Sequence, residues 1–186
     1  TPWCLSAAQR QALLTQTRGA TNLWCYAPGY FEDDRPSLAA MRELTGFTMK
    51  QVTPDKATAS PNDTGRQRGL TTPFGVNGPV KPLFAAADAK PEETLATYPD
   101  GSAAVAVRRA NGGTSVFVGA PGLTSELLRL AARLAGVHLF TGTDCNVYAN
   151  GPVVALHASQ DGEIALDTGK PGDVTDMLTG KVLGKG

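Results

Sequence analysis

The sequence predicts an α/β fold built on a mixed, mainly parallel sheet flanked by helices. Three observations point there. The apolar run Leu23-Trp24-Cys25-Tyr26-Ala27 stops at Pro28-Gly29. An amphipathic stretch starts at Ser37 and ends at Gly46. A buried strand feeding a helix is the unit of a parallel α/β sheet. Later, Asn111-Gly112-Gly113 separates two apolar runs. Asn and Gly accept positive φ cheaply, so this is a hairpin turn, and it adds an antiparallel pair.

The first helix starts at Ser6, with Ala7, Ala8, Leu13 and Leu14 on its apolar stripe. Ser6-Ala-Ala-Gln9 fits a capping box, because Gln9 can reach back to the Ser6 N–H. Gly19 closes that helix. The strand Asn22 to Ala27 follows. Ser37 caps the second helix, after Pro36, and Gly46 ends it. Phe47 to Thr53 alternates like a strand, with Phe47, Met49 and Gln51 on one face.

Pro54 to Pro82 is rich in proline, glycine, threonine and charge and shows little periodicity. Two readings stay open: a functional segment packed on another chain, or a disordered surface insertion. Pro82 to Ala87, Glu93 to Tyr98, Ala103 to Arg109 and Thr114 to Gly119 read as strands. Pro121 to Gly136 reads as a helix capped by Thr124 or Ser125, with Leu127, Leu130, Ala131 and Leu134 inward. His138 to Phe140 and Asn146 to Tyr148 flank a Thr-Gly-Thr-Asp turn. From Val153 the texture becomes short strands around tight turns: Val153 to Ser159, Glu163 to Thr168, Asp173 to Leu178 and Lys181 to Leu183. The expected organisation is therefore residues 1–151 as the α/β domain and residues 152–186 as the start of a small antiparallel β domain. Thr1-Pro2-Trp3-Cys4 reads as the end of a strand or the loop after it. The expectation is a piece of a longer protein that lacks its first strand, so its compartment cannot be read.

Composition narrows function. The 186 residues carry 17 Lys plus Arg and 17 Asp plus Glu, for a formal net charge of zero. No basic run suggests nucleic acid, and no apolar run approaches the ~20 residues of a membrane span. Aromatics make up 6% of the chain, few for a surface that grips sugars. The three cysteines, Cys4, Cys25 and Cys145, form no Cys-x-x-Cys pair, which argues against zinc and against a disulfide framework.

Cys25 follows a strand core and precedes a turn, the place a nucleophile would take. A nucleophile elbow needs small residues two positions either side, and Leu23 fails that test. A buried structural thiol is the better reading, with Cys145 in the same role. His138 and His157 have no orienting partner at a recognisable spacing, and a metal site is not expected. His157 reads as a hydrogen-bonded, partly buried residue. Glu32, Asp33 and Asp34 lie in the loop before a helix. They read as electrostatic capping of its N-terminus or as glycosidase carboxylates. Three consecutive loop acids do not suggest two groups facing across a sugar. No Gly-x-Gly-x-x-Gly or phosphate-loop pattern supports a nucleotide cofactor. Among binding candidates, Tyr30 and Phe31 in the first loop, and Leu70 and Phe74 in the long segment, read as interface residues.

Three segments together carry a family resemblance. They are Trp24-Cys-Tyr-Ala-Pro-Gly-Tyr-Phe31 with Ser37 to Gly46; Ser115 to Leu128 with Ala135-Gly-Val-His138; and Val147 to Asn150 with Leu156 to Ser159 and Asp176 to Lys181. In this order they resemble the β-galactosidase trimerisation domain of glycoside hydrolase family 42 and its relatives, followed by the small C-terminal β domain. The resemblance implies a flavodoxin-like, class I glutamine-amidotransferase-like fold without the amidotransferase site. It implies catalytic glutamates on an upstream TIM barrel outside this sequence, so no catalytic residue, cofactor or metal ligand carries over. It also implies that barrel and neighbouring subunits as partners in a homo-oligomer, a trimer by the family's name, with carbohydrate bound through the parent enzyme. Two other functions compete: an amidotransferase-like cysteine hydrolase using Cys25, and a free-standing carbohydrate-binding or scaffold module. The failed elbow disfavours the first and the low aromatic content disfavours the second.

Overall fold

The computed structural model describes residues 2–185, the side chain of Lys185 excepted. It divides into two compact units, one ending at Ala135 and one beginning at Gly136. The first unit runs α1 (Ala7–Gln16), β1 (Thr21–Cys25), β2 (Phe31–Glu32), β3 (Arg35–Pro36), α2 (Leu38–Thr45), β4 (Met49–Val52) and β5 (Ala57–Pro61). It continues with α3 (Asp63–Gln67), β6 (Phe74–Val76), β7 (Leu83–Ala86), β8 (Thr94–Thr97), β9 (Ala103–Ala110), β10 (Gly113–Val118) and α4 (Ser125–Leu134). The second unit holds β11 (Cys145–Asn150), β12 (Val153–Ala158), β13 (Asp173–Thr175) and β14 (Val182–Lys185).

The fold is not the mainly parallel, flavodoxin-like sheet that the sequence predicts. Strands account for 34% of residues and helices for 18%, and the main sheet curls into a half-barrel. Its order is β1-β10-β9-β8-β5-β6. β1 and β10 run parallel, while β10–β9, β9–β8, β8–β5 and β5–β6 are antiparallel. The physical reason lies in where β4 goes. A parallel fold needs the strand after α2 to return beside β1. Instead β4 pairs antiparallel with β7 in a separate two-stranded sheet, so no right-handed crossover forms. β1 is an edge strand, which is why Leu23 and Cys25 are half-buried.

Period-two alternation sorts the side chains of the sheet into two cores. On β10, Val116 and Val118 join one core and Phe117 the other. On β7, Leu83 and Ala85 join the first, and Phe84 and Ala86 the second. α4 lays Leu127 and Leu130 on the first core. α2 lays Met41 and Leu44 on the second, beside Trp24, Tyr30 and Phe47. Full burial of each such side chain contributes about 1.5–3 kcal/mol.

The helix ends follow the sequence closely. Ser6 Oγ accepts from Gln9 N–H at 3.3 Å, and Gln9 Oε1 accepts from Ser6 N–H at 2.9 Å, a complete capping box. Ser37 caps α2, Gly46 closes it at φ 75°, and Thr124 caps α4. Asn111 and Gly112 take φ of 52° and 74°, the left-handed pair that a two-residue hairpin between β9 and β10 requires.

Several segments depart from expectation. Pro54–Pro82 is built into the sheet through β5, α3 and β6 rather than lacking structure. Ala7 and Ala8 face solvent, and Arg10 takes the buried position of α1. His138–Phe140 and Glu163–Thr168 are not strands. β11 pairs with β12 across the expected 151/152 boundary, and the units divide earlier, after Ala135. Thr1 and Gly186, where the fragment expectations begin and end, lie outside the described residues. No helix among the described residues is long and apolar enough to cross a membrane.

Candidate functional site

β1 ends at Cys25, and the next residue, Tyr26, holds φ 63°. Positive φ at a bulky residue is strained and persists only where surroundings fix it. Here the Tyr26 N–H donates to Val118 O at 2.7 Å, and the phenol hydroxyl donates to Pro82 O. The Trp3 ring packs against Tyr26 at 5.2 Å and is 43% exposed. Cys25 is half-buried, not buried as expected. The first unit contains no histidine, since His138 and His157 both follow Ala135. A Cys–His mechanism within this unit therefore lacks its base. The amidotransferase-like fold that this reading assumes is not the fold observed.

The acids after β1 form a hairpin, not a loop at a helix end. β2 and β3 pair Glu32 with Arg35, and Asp33 and Asp34 make the turn at φ 47° and 60°. Asp tolerates left-handed backbone better than most residues. Glu32 is held inward by Arg10, whose Nη2 donates to Glu32 Oε1 at 2.7 Å. Arg10 Nε donates to Glu43 Oε2 at 2.7 Å and Nη1 to the Leu5 carbonyl at 2.9 Å. The two carboxylates are thus tied to one cation, not poised across a substrate. The first signal for Arg10 was its spacing. It stands at i, i+3 and i+4 with Leu13 and Leu14, on the apolar stripe.

A second arginine centre was also missed. Arg108 on β9 lies over the Phe47 ring at 4.3 Å from its centroid. Its Nη2 donates to Glu93 Oε2 at 2.6 Å and its Nη1 to Asp88 Oδ2 at 3.2 Å. The Arg108 hydrogen bonds pull the Glu93 carboxyl down to about 2. At Asp88 burial acts upward, but the Thr48 N–H and Arg108 outweigh it and lower the carboxyl. On the far side, Glu126 of α4 accepts from the N–H and hydroxyl groups of Thr71 and Thr72. Both sets of contacts join segments that are distant in sequence.

No three His, Cys, Asp or Glu side chains among the described residues could hold a metal ion. His157 is exposed on β12 rather than partly buried. The His138 ring lies 2.8 Å from the Asp167 carbonyl, with Phe140 edge-on at 4.7 Å. The second unit has an open depression of about 790 Å³ lined by Ile164, Leu166, Val174 and Leu183 together with Asp167, Thr168 and Lys170.

The four interface candidates fall into two pairs. Tyr30 is buried against Phe84, and its hydroxyl accepts from Gln51 Nε2 at 2.7 Å. Leu70 is buried in the first core. Phe31 on β2 and Phe74 on the edge strand β6 are half-buried and keep area for a partner.

The fold has counterparts among solved structures. This chain shares its fold with a segment of bacterial β-galactosidases. The β-galactosidase of Bacillus circulans sp. alkalophilus matches with a TM-score of 0.59 at 17% identity, over 98% of this chain and 30% of that one. The cold-adapted β-galactosidase of Rahnella sp. R3 matches with a TM-score of 0.57 at 16% identity, over 78% of this chain and 24% of that one. This chain therefore spans less than a third of either β-galactosidase. No protein-family model and no curated protein matches the sequence.

Proposed function

We propose that this chain is a non-catalytic assembly part of a larger sugar-cleaving enzyme of the β-galactosidase kind. One observation carries the reading: nearly the whole chain matches a segment of a β-galactosidase more than three times its length. The engaged state of Glu32 and the turn role of Asp33 and Asp34 support it. Glycoside hydrolysis needs two carboxylates free to face a sugar, and Glu32 and Glu43 are instead bound to Arg10, as Asp88 and Glu93 are to Arg108. Catalysis would reside on a partner barrel, and the sugar would meet this chain only through the parent enzyme. Phe31 and Phe74 would contact that barrel or a neighbouring subunit, in a homo-oligomer whose closed form is a trimer.

The purified chain should turn over no aryl β-galactoside above the buffer rate. Turnover that falls on Glu32→Gln would overturn this reading. Asp33→Asn serves as the second variant, because Asp33 lies in a turn outside the ion pairs.

A sugar-binding module is the second reading, favoured by Trp3 exposed against Tyr26. An aromatic face can stack on a pyranose. The other tryptophan, Trp24, is buried. Quenching of the emission by lactose, lost in Trp3→Ala, would select the module. Unchanged emission would leave the assembly reading in place.

A further inference from the structure

A cleft of about 510 Å³ opens in the first unit between the start of α3, β8, the turn from β8 to β9 and the loop after β7. That volume falls in the range of small-molecule pockets. Its walls are fixed by hydrogen bonds. Asn62 Oδ1 accepts from Gly65 N–H at 2.9 Å, and its Nδ2 donates to Thr94 O at 2.8 Å, which holds α3 on β8. At the β8–β9 turn, Ser102 O accepts from Tyr98 N–H at 2.9 Å, and Ser102 N–H donates to Asp100 Oδ1 at 2.9 Å. Ala86 and Ala103, both buried, form the floor, with Ala89 beside them. Small side chains there leave room that larger ones would fill.

Two groups in this cleft point to a ligand. The first is Ser102. It lines the cleft and is only 9% exposed, yet its hydroxyl makes no hydrogen bond among the described residues. Burying a hydroxyl without a partner costs free energy, so a partner entering the cleft would recover it. The second is Lys50 of β4. It is the one cation lining the cleft, and among the described residues it forms no ion pair. The one acid of the lining, Asp63, is bonded to Arg66 at 2.7 Å. The flanking Asp88 and Glu93 are held by Arg108. The lining is therefore left with one uncompensated positive charge.

The remaining polar groups narrow the ligand. Thr64 and Thr97 add two hydroxyls that make no hydrogen bond among the described residues, whereas the Thr94 hydroxyl is used on Lys90 O at 3.0 Å. Hydroxyls both donate and accept, which suits the hydroxyls of a polyol, while an ammonium only donates and draws an anion. No aromatic side chain lines the cleft, so a flat apolar ring finds no stacking platform there.

We propose that this cleft binds a small hydroxylated anion, a sugar acid or a sugar phosphate. Lys50 takes the anionic group, and Ser102, Thr97 and Thr64 take the hydroxyls. The site belongs to one copy of the chain and is independent of the assembly reading above.

Nuclear magnetic resonance titration of the whole chain tests it, with glucuronate, glucose 6-phosphate and neutral glucose as separate probes at millimolar concentration. At least one anion should move the amide signals of Lys50, Thr64, Thr97 and Ser102, and which one moves them tells carboxylate from phosphate. Glucose should move them far less. Lys50→Met should weaken binding about tenfold or more, and Ser102→Ala about threefold. Lys50→Arg should keep most of it, and raised salt should weaken it. Lys50 is exposed and the Ser102 hydroxyl holds nothing in place, so the circular dichroism melts should match the parent chain. Signals that stay still with both anions overturn the proposal, as do signals that move only elsewhere in the chain. Equal binding of glucose, or a Lys50→Met chain that binds as the parent does, overturns it as well.

Discussion

Arg10 Nη2 lies 2.7 Å from Glu32 Oε1, and this pair ties the first helix to the acidic hairpin 22 residues further on. Through Nε the same guanidinium reaches Glu43 at 2.7 Å, on the second helix. One cation with its side chain 2% exposed thus clamps three elements, α1, β2 and α2.

Arg10→Ala should destabilise the fold by about 2–3 kcal/mol. That is below the ~3–5 kcal/mol of a fully buried pair, because the side chains of Glu32 and Glu43 are 32% and 44% exposed and can rehydrate. Arg10→Met should cost less, since it keeps the packing volume. Urea midpoints at pH 7 compare the two. Equal losses would mean that charge, not packing, is what Arg10 supplies.

Glu93 gives the fold an acid-sensitive contribution. Its carboxyl titrates near 4.5 when unperturbed and near 2 beside Arg108. The folded state therefore favours the ionised form. The contribution is complete above pH 4.5, fades as pH falls toward 2, and is lost below that. With its side chain 18% exposed, Glu93 should supply about 2–3 kcal/mol at neutral pH. Glu93→Gln should be that much less stable at pH 7, and the gap should close near pH 2. A gap that stays constant with pH would assign the loss to packing.

Gly65 tests whether the Pro54–Pro82 segment belongs to the core. A Cβ there would stand 2.0 Å from the Leu95 carbonyl oxygen of β8. Gly65→Ala should cost about 2–4 kcal/mol, despite alanine's better helix propensity. Gly78→Ala, which meets nothing within 4 Å, should change stability by less than ~0.5 kcal/mol. Thermal melts of the two variants decide it. Equal stability would mean that α3 does not pack on β8.

The capping and turn chemistry was legible because it is local. Ser6 with Gln9, Ser37 with Gly46, and Asn111 with Gly112 each fix a boundary through backbone groups within a few residues. The sheet order was not legible, because it depends on long-range pairing. The strand after α2 could return beside β1 or turn to β7, and nothing in Met49–Val52 distinguishes the two. β5 hid for another reason. Ala57-Thr-Ala-Ser-Pro61 holds a single β-branched residue, Thr58, and no aromatic, and its Ala57, Ala59 and Pro61 are buried because small side chains fit where β5 meets β6 and β8. Of the interface candidates, aromatic character flagged Tyr30 and Phe31 alike. Only the tertiary position separates them: Tyr30 fills a gap against Phe84, while Phe31 sits at the rim of the hairpin.

The most direct measurement is the mass of the purified chain by light scattering across a concentration series. The assembly account predicts a mass that rises to a whole multiple of 19.3 kDa. A mass that stays at 19.3 kDa throughout would contradict it.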